Sequence, residues 1–286
     1  MSARNCQARF ASLLFLAAAA LLLAVSCTSI ATRVYELETP LLAEESRVTL
    51  VLLSDLHSTI HGGDQGPLIK KIRERRPDLI LLSGDIVDDV VPVTGVELLL
   101  AGVQDAAPLF YVTGNHEFAS RDIEGIRRGL ESYGVTILGD RYVRVRVREN
   151  ELILAGVEDP VKTRYEDPAY DPDAAMDRAF AGLGSLPLYK VLIAHRPERI
   201  DLYGRYGFDL VVSGHAHGGQ VRLPFINGLY APNQGVFPKY AGGMYVHGGM
   251  VHIVSRGLSI NPRLPRIFNP PELVVIILRP PAQPGP

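Results

Sequence analysis

Between residues 48 and 213, short and nearly unbroken apolar runs alternate with longer amphipathic stretches. Val48 to Leu53 reads Val-Thr-Leu-Val-Leu-Leu, and comparable runs lie at Leu79 to Leu82, Leu109 to Val112, Leu152 to Val157, Tyr189 to Ala194 and Leu210 to Ser213. Runs this short with no wet face are what strands covered on both sides require. Pro67 to Arg76 sets Leu68, Ile69 and Ile72 among Lys70, Lys71, Arg73, Arg75 and Arg76, a helical pattern with a solvated basic face. Val96 to Val103, Ile123 to Tyr133 and Ala174 to Leu183 are further predicted helices.

Tyr142 to Arg148 alternates Val143, Val145 and Val147 with Arg144, Arg146 and Arg148, which predicts a strand with its arginines in water. Met244 to Val254 and Leu273 to Leu278 supply late strands. Glu158 to Asp173, rich in Pro, Asp and Tyr, reads as a long loop near the mouth of any site. Strands alternating with helices, and no internal repeat, predict one α/β domain over residues 48–279. Residues 32–47 read as a connector and residues 280–286 as a disordered tail.

Composition narrows the chemistry. The chain has 286 residues, is 47% hydrophobic and carries a formal charge of -2, so nothing in its charge calls for a nucleic-acid partner. Its two cysteines, Cys6 and Cys27, both precede the predicted domain. The domain therefore holds no disulfide and no thiolate metal site, and any metal there needs nitrogen and oxygen donors.

Arg4 and Arg9 precede the uncharged stretch Phe10 to Val25, the layout of a signal sequence or, extended to Ala31, of a membrane anchor over residues 1–31. Leu23-Ala24-Val25-Ser26-Cys27 also resembles a bacterial lipoprotein signal, although Ala24 stands where leucine is preferred. The leading arginines place the body on the extracytoplasmic face of a membrane that it reaches through its N-terminus.

Five of these six apolar runs, all but Leu152 to Val157, end in ligand-type residues: Ser54-Asp55-Leu56-His57, Ser83-Gly84-Asp85, Thr113-Gly114-Asn115-His116-Glu117, His195-Arg196-Pro197 and Gly214-His215-Ala216-His217-Gly218-Gly219-Gln220. The ends of strands are where open α/β sheets place ligand crevices. In the pairs Asp55/His57 and His215/His217, side chains two apart point at one object if the backbone stays extended. Asp88 and Asp89 read as loop or cap residues. His61, His247 and His252 read as structural, and Arg196 and Arg256 are candidate phosphate contacts.

These motifs, in this order, resemble the calcineurin-like metallophosphoesterase superfamily. The Gly-His-Ala-His-Gly-Gly-Gln form, with Asn269-Pro270-Pro271-Glu272-Leu273, is similar to its membrane-associated bacterial branch. The resemblance implies a four-layer αββα sandwich, two facing mixed β-sheets flanked by helices. It further implies two divalent metal ions: one held by Asp55, His57 and His217, the other by Asn115, His195 and His215, with Asp85 bridging them. Manganese, iron, zinc and magnesium (Mn, Fe, Zn and Mg) all tolerate nitrogen and oxygen donors to some degree. His116 matches the residue beside the substrate, where it stabilises the phosphoryl group or protonates the departing oxygen; a supporting role is the alternative.

The implied reaction is hydrolysis of a phosphodiester, phosphomonoester or pyrophosphate by a hydroxide bridging the metals. A lipid-linked phosphoester at the membrane is the expected substrate, with Phe225, Ile226, Leu229, Tyr230, Val236, Phe237 and Tyr240 forming either an apolar wall beside the metals or ordinary core. The competing class is a non-catalytic binding or scaffolding protein that keeps the fold; such relatives generally lose ligands, and all seven are present here.

Overall fold

The computed structural model describes residues 29–223, 225, 227–260 and 266–282. The anchor or lipoprotein signal lies outside the described residues up to position 28, as does the tail from 283. Among the described residues, no helix is long and apolar enough to cross a membrane.

Two six-stranded sheets carry the molecule. The first has the order β1-β14-β2-β3-β4-β5, with β1 at Ala31–Glu38, β2 at Val48–Leu53, β3 at Leu79–Ser83, β4 at Leu109–Val112, β5 at Val135–Ile137 and β14 at Glu272–Arg279. In the second, β12-β13-β9-β8-β7-β6, the strands are β6 at Arg141–Val147, β7 at Asn150–Gly156, β8 at Tyr189–Ile193, β9 at Leu210–Ser213, β12 at Gly243–His247 and β13 at Met250–Val254. β2 to β5 run parallel, as do β7, β8, β9 and β13; β14 pairs parallel with β1 but antiparallel with β2, and β6 and β12 pair antiparallel with β7 and β13. Both sheets are therefore mixed. A two-stranded ribbon, β10 at Tyr230–Ala231 and β11 at Gly235–Val236, completes the strands.

The unbroken apolar runs exist because each strand has two dry faces. Leu50, Leu52, Leu79, Leu81, Val191, Ile193, Leu210 and Val212 meet between the sheets. Their sequence neighbours Val51, Leu53, Ile80 and Leu82 pack outward with Leu68, Ile72, Leu99 and Leu100 of helices Gly66–Glu74 and Thr94–Val103. Ile153, Leu192 and Val211 do the same against Met176 and Phe180 of helix Pro172–Phe180. Helix, sheet, sheet and helix is the four-layer arrangement that the family resemblance implies. Burying each such Leu or Ile contributes about 1.5–3 kcal/mol, so the three cores pin the strand ends that carry the polar residues.

Two readings are corrected. The connector proposed for residues 32–47 contains β1, which pairs with β14 from Ala31↔Glu272 to Glu38↔Arg279. As an edge strand it keeps charged residues, Glu36 and Glu38 each pairing with Arg279, and so lacks the apolar run that marks the inner strands. The loop from Glu158 to Asp173 contains a short helix, Lys162–Tyr165. The alternating strand stands as read, with Val143 and Val145 packed on the central core and Arg144 exposed.

Candidate metal centre

Parallel strands deliver their C-terminal ends to one edge, and there the two sheets bring the ligand-type residues together. Among the described residues, four sets have donor atoms within 4.8 Å of one another: Asp55, His57 and His217; His57, Asp85 and His116; Asp85, His195 and His215; and Asp88, Asp89 and His116. Asp85 Oδ2 lies 3.1 Å from His195 Nε2 and 3.7 Å from His57 Nε2, so one carboxylate faces both halves of the cluster. His217 Nε2 is 3.6 Å from Asp55 Oδ1, and His215 Nδ1 is 3.2 Å from His195 Nε2.

The extended backbone expected for the two i, i+2 pairs is corrected by the structure. Asp55 (φ 49°), His57 (47°), His215 (66°) and His217 (47°) all stand in the left-handed region, as does Asp85 (50°). His215 and His217 consequently turn to different neighbours, His215 to His195 and His217 to His57 and Asp55. Non-glycine residues rarely adopt this conformation, and such strain collects at functional sites. Gly214 lets the strands meet here: a Cβ on it would lie 1.7 Å from Ser54 Oγ and 2.5 Å from Asp55 Oδ2.

The outer face of each ring is tied. His195 Nδ1 donates to the Ser83 carbonyl at 2.9 Å, and His57 Nδ1 bonds Asp88 Oδ2 at 3.0 Å, which leaves their Nε2 atoms turned inward. His217 Nδ1 is 3.4 Å from Ser259 Oγ. His215 is reversed: its Nε2 meets Asn233 Oδ1 at 2.8 Å and Arg196 Nη1 at 2.7 Å, so Nδ1 is the inward donor. Fixing the remote nitrogen in this way selects tautomer and ring angle for a metal. Two acceptors, His57 Nε2 in the cluster and Oδ1 of Asn115, whose neighbour His116 donates its N–H to Asp85 Oδ1, are buried with no hydrogen-bond partner. Buried polar atoms are rarely left so, and a cation is the partner that fits a carbonyl oxygen beside imidazoles and carboxylates.

The electrostatics agree. Burial lowers the proton affinity of His195, yet the Asp85 carboxylate more than offsets this and lifts the imidazole to about 10. Burial opposes ionisation of Asp85, but His195 holds it well below the usual carboxylate range. His215 and His217 are kept well below their ordinary value, first by burial and then by His195 and His57 respectively, so both stay neutral donors. A cluster that draws a positive charge to Asp85 this strongly suits a metal cation.

Asp88 and Asp89 do more than the loop reading assigned them. Asp88 caps Val90 and Val91 through their N–H groups and also orients His57, while Asp89 Oδ1 lies 2.7 Å from His116 Nδ1. His116 is half exposed to the mouth, its ring 4.4 Å from that of His57. Glu117, given no role from sequence, is buried and accepts four backbone N–H groups from both ligand loops. Of the candidate phosphate contacts, Arg196 lies at the site, held by Asp159 on both of its forks, whereas Arg256 is engaged by Glu272. His61 and His252 are structural, bonded to the Leu258 carbonyl and Ser213 Oγ. Phe225 and Phe237 are exposed and Tyr240 is buried, so the expected apolar wall divides between surface and core.

A sequence profile of calcineurin-like phosphoesterases matches residues 48–219, which contain every residue of the cluster. The chain belongs to the calcineurin-like phosphoesterase family. Among its relatives, an uncharacterised metallophosphoesterase of Helicobacter pylori is 30% identical over 250 residues, 85% of this chain and 63% of that protein. The chain thus spans less than two thirds of that relative's length. The uncharacterised metallophosphoesterase YkuE of Bacillus subtilis is 29% identical, over 80% of this chain and 78% of its own. Phosphodiesterase YaeI of Escherichia coli is 27% identical over 65% of each. Among solved structures, the NAD nucleotidase of Haemophilus influenzae matches with a TM-score of 0.52 at 16% identity, covering 76% of this chain and 46% of that one. At that identity the calcineurin-like phosphoesterase shares a fold with it and no more.

Proposed function

We propose that this chain is a dinuclear, metal-dependent phosphoesterase. The observation that carries the reading is the convergence of Asp55, His57, Asp85, His195, His215 and His217 within ligand distance of one another in three overlapping sets. Asp55, His57 and His217 form one ligand set and Asn115, His195 and His215 the other, with Asp85 serving both. Two bound cations would supply Lewis acidity and an activated water for attack at phosphorus. The protein's part is to fix those donors through Ser83, Asp88, Asn233 and Glu117. His116 has its Nδ1 on Asp89, which leaves Nε2 free to stabilise a phosphoryl oxygen or to hand a proton to the departing one.

The substrate reading is a phosphodiester or pyrophosphate whose leaving or retained part is a membrane lipid. It is supported by the uncharged stretch Phe10 to Val25 behind Arg4 and Arg9, the layout of a segment that would tether the body at the extracytoplasmic face of a membrane. The test is kcat/KM for a lipid-bearing phosphodiester and for its water-soluble headgroup analogue, measured with Mn, Fe, Zn and Mg in turn. The reading expects metal-dependent hydrolysis with preference for the lipid-bearing form. Equal efficiency on the two would remove the lipid, and no hydrolysis with any metal would favour the scaffolding class.

A further inference from the structure

Of the large apolar side chains exposed to water, Ile60, Val90, Phe225, Tyr230, Phe237 and Phe268 lie on segments joined to the ligand loops. Ile60 follows His57 by three residues and Val90 follows Asp88, their loops issuing from β2 and β3. Phe225, Tyr230 and Phe237 belong to the segment after His217, which is bonded back to the ligand loop through Leu229 N–H to the Gly219 carbonyl and Phe237 N–H to the Leu229 carbonyl. Phe268 precedes Asn269, whose Nδ2 donates to the His217 carbonyl at 2.7 Å. Phe225 is fully exposed, and Phe237 is 64% exposed. Phe225, Phe237 and Phe268 all hold positive φ, of 70°, 56° and 50°. A bulky residue in that conformation is uncommon, and in water its ring returns nothing to the fold. Three of them beside one mouth point to a ligand for the rim itself.

The direction of β1 says what that ligand is. β1 runs parallel to β14 and therefore antiparallel to β2, so the chain enters the sheet at the edge where β2 delivers Asp55. Ala31 pairs with Glu272, two residues before the Val274↔Leu52 pair, which sets it level with Ser54. Only β14 separates β1 from β2, a lateral distance of about 10 Å for two strand spacings. The uncharged stretch Phe10 to Val25 ends five residues before Ile30, and the intervening chain reaches at most about 17 Å when fully extended. A spanning segment or a lipid on Cys27 would pull this end of the body, rather than the opposite end, to the bilayer.

We infer that the apolar rim is a membrane-docking surface, inserted among lipid headgroups so that the mouth of the metal cluster opens onto the bilayer. This deepens the lipid-substrate reading and rests on it only for the identity of what enters the mouth. Docking itself needs no turnover.

The chain has no tryptophan, so single reporters can be placed without background. Phe225→Trp and Phe237→Trp lie on the rim; Leu41→Trp lies beyond the far end of β1 and serves as the control. Each full-length variant is reconstituted into phosphatidylcholine and phosphatidylglycerol vesicles with brominated or ordinary acyl chains. The expected result is a blue shift and loss of emission on bromolipid for Phe225→Trp and Phe237→Trp, with Leu41→Trp unchanged. Rim reporters quenched no more than Leu41→Trp would overturn docking. So would rim reporters shielded from aqueous iodide yet untouched by bromolipid, which would assign the surface to a second copy of the chain. Rim quenching in an enzyme that prefers soluble headgroups would remove the lipid substrate alone.

Discussion

Glu117→Gln isolates the residue that joins the two ligand loops. Glu117 Oε2 accepts from the Asp85 and Gly114 N–H groups at 3.0 and 2.8 Å, and Oε1 from those of Ile86 and Val87 at 2.7 and 3.0 Å. Four amides aimed at two oxygens leave no place for an acidic proton, so the site is built for a carboxylate. Burial, and then Asp85, push its carboxyl up to about 7, and a cation held by Asp85 would favour the ionised form. In the variant, one oxygen is replaced by a donor, and two N–H groups face it unpaired. Each unsatisfied buried N–H costs about 1–3 kcal/mol, so the pair costs about 2–6 kcal/mol, with local relaxation favouring the lower half. Urea unfolding should show a loss of about 3 kcal/mol with an unchanged m-value. Metal affinity should fall about 10-fold to 100-fold, since Asp85 and Asn115 lose the group that positions their loops. A loss under about 1 kcal/mol with wild-type metal affinity would refute the role given to Glu117.

His116→Ala should keep its metals, because neither proposed ligand set includes His116, while kcat falls about 10²-fold to 10⁴-fold; parallel loss of metal by elemental analysis would make it a ligand instead. Gly214→Ala must displace Asp55 or Ser54, and activity should fall about 10²-fold together with metal content; an active, metal-replete variant would remove the close approach from the account. Burial, and then His247, lower His252 to about 3. Because its folded value lies below the unfolded one of about 6.5, the unfolded chain binds more protons between them, and stability is lost as pH falls through that window. At pH 5 this amounts to about 2 kcal/mol, so His252→Gln should lose less stability than wild type between pH 7 and pH 5 in urea unfolding; identical losses would contradict the burial of a neutral imidazole.

How much of this was readable in the sequence depends on what kind of signal each part leaves. Inner strands such as β2 and β8 announce themselves because both faces are dry, and the ligand residues stand out because each follows such a run. β1 was hidden because an edge strand keeps Glu36 and Glu38 for solvent and for Arg279. The left-handed backbone at Asp55, His57, His215 and His217 was hidden too, since spacing alone suggests side chains sharing a face, whereas the turn sends neighbours to different halves of the cluster. Glu117 could have been suspected from its place after Asn115 and His116, but its bonds reach back to residues 85–87 and depend on two parallel strands lying side by side. Asp88 and Asp89 carry an ordinary loop signature, and only the crossing of loops brings them to His57 and His116.

The central claim is that one carboxylate, Asp85, serves two cations in one cluster. Purified wild-type and Asp85→Asn protein, loaded with manganese and freed of excess, should be compared by elemental analysis alongside phosphodiester hydrolysis. The account predicts two metals per wild-type chain, fewer in the variant and no measurable turnover there. Two metals and full activity in Asp85→Asn would contradict it.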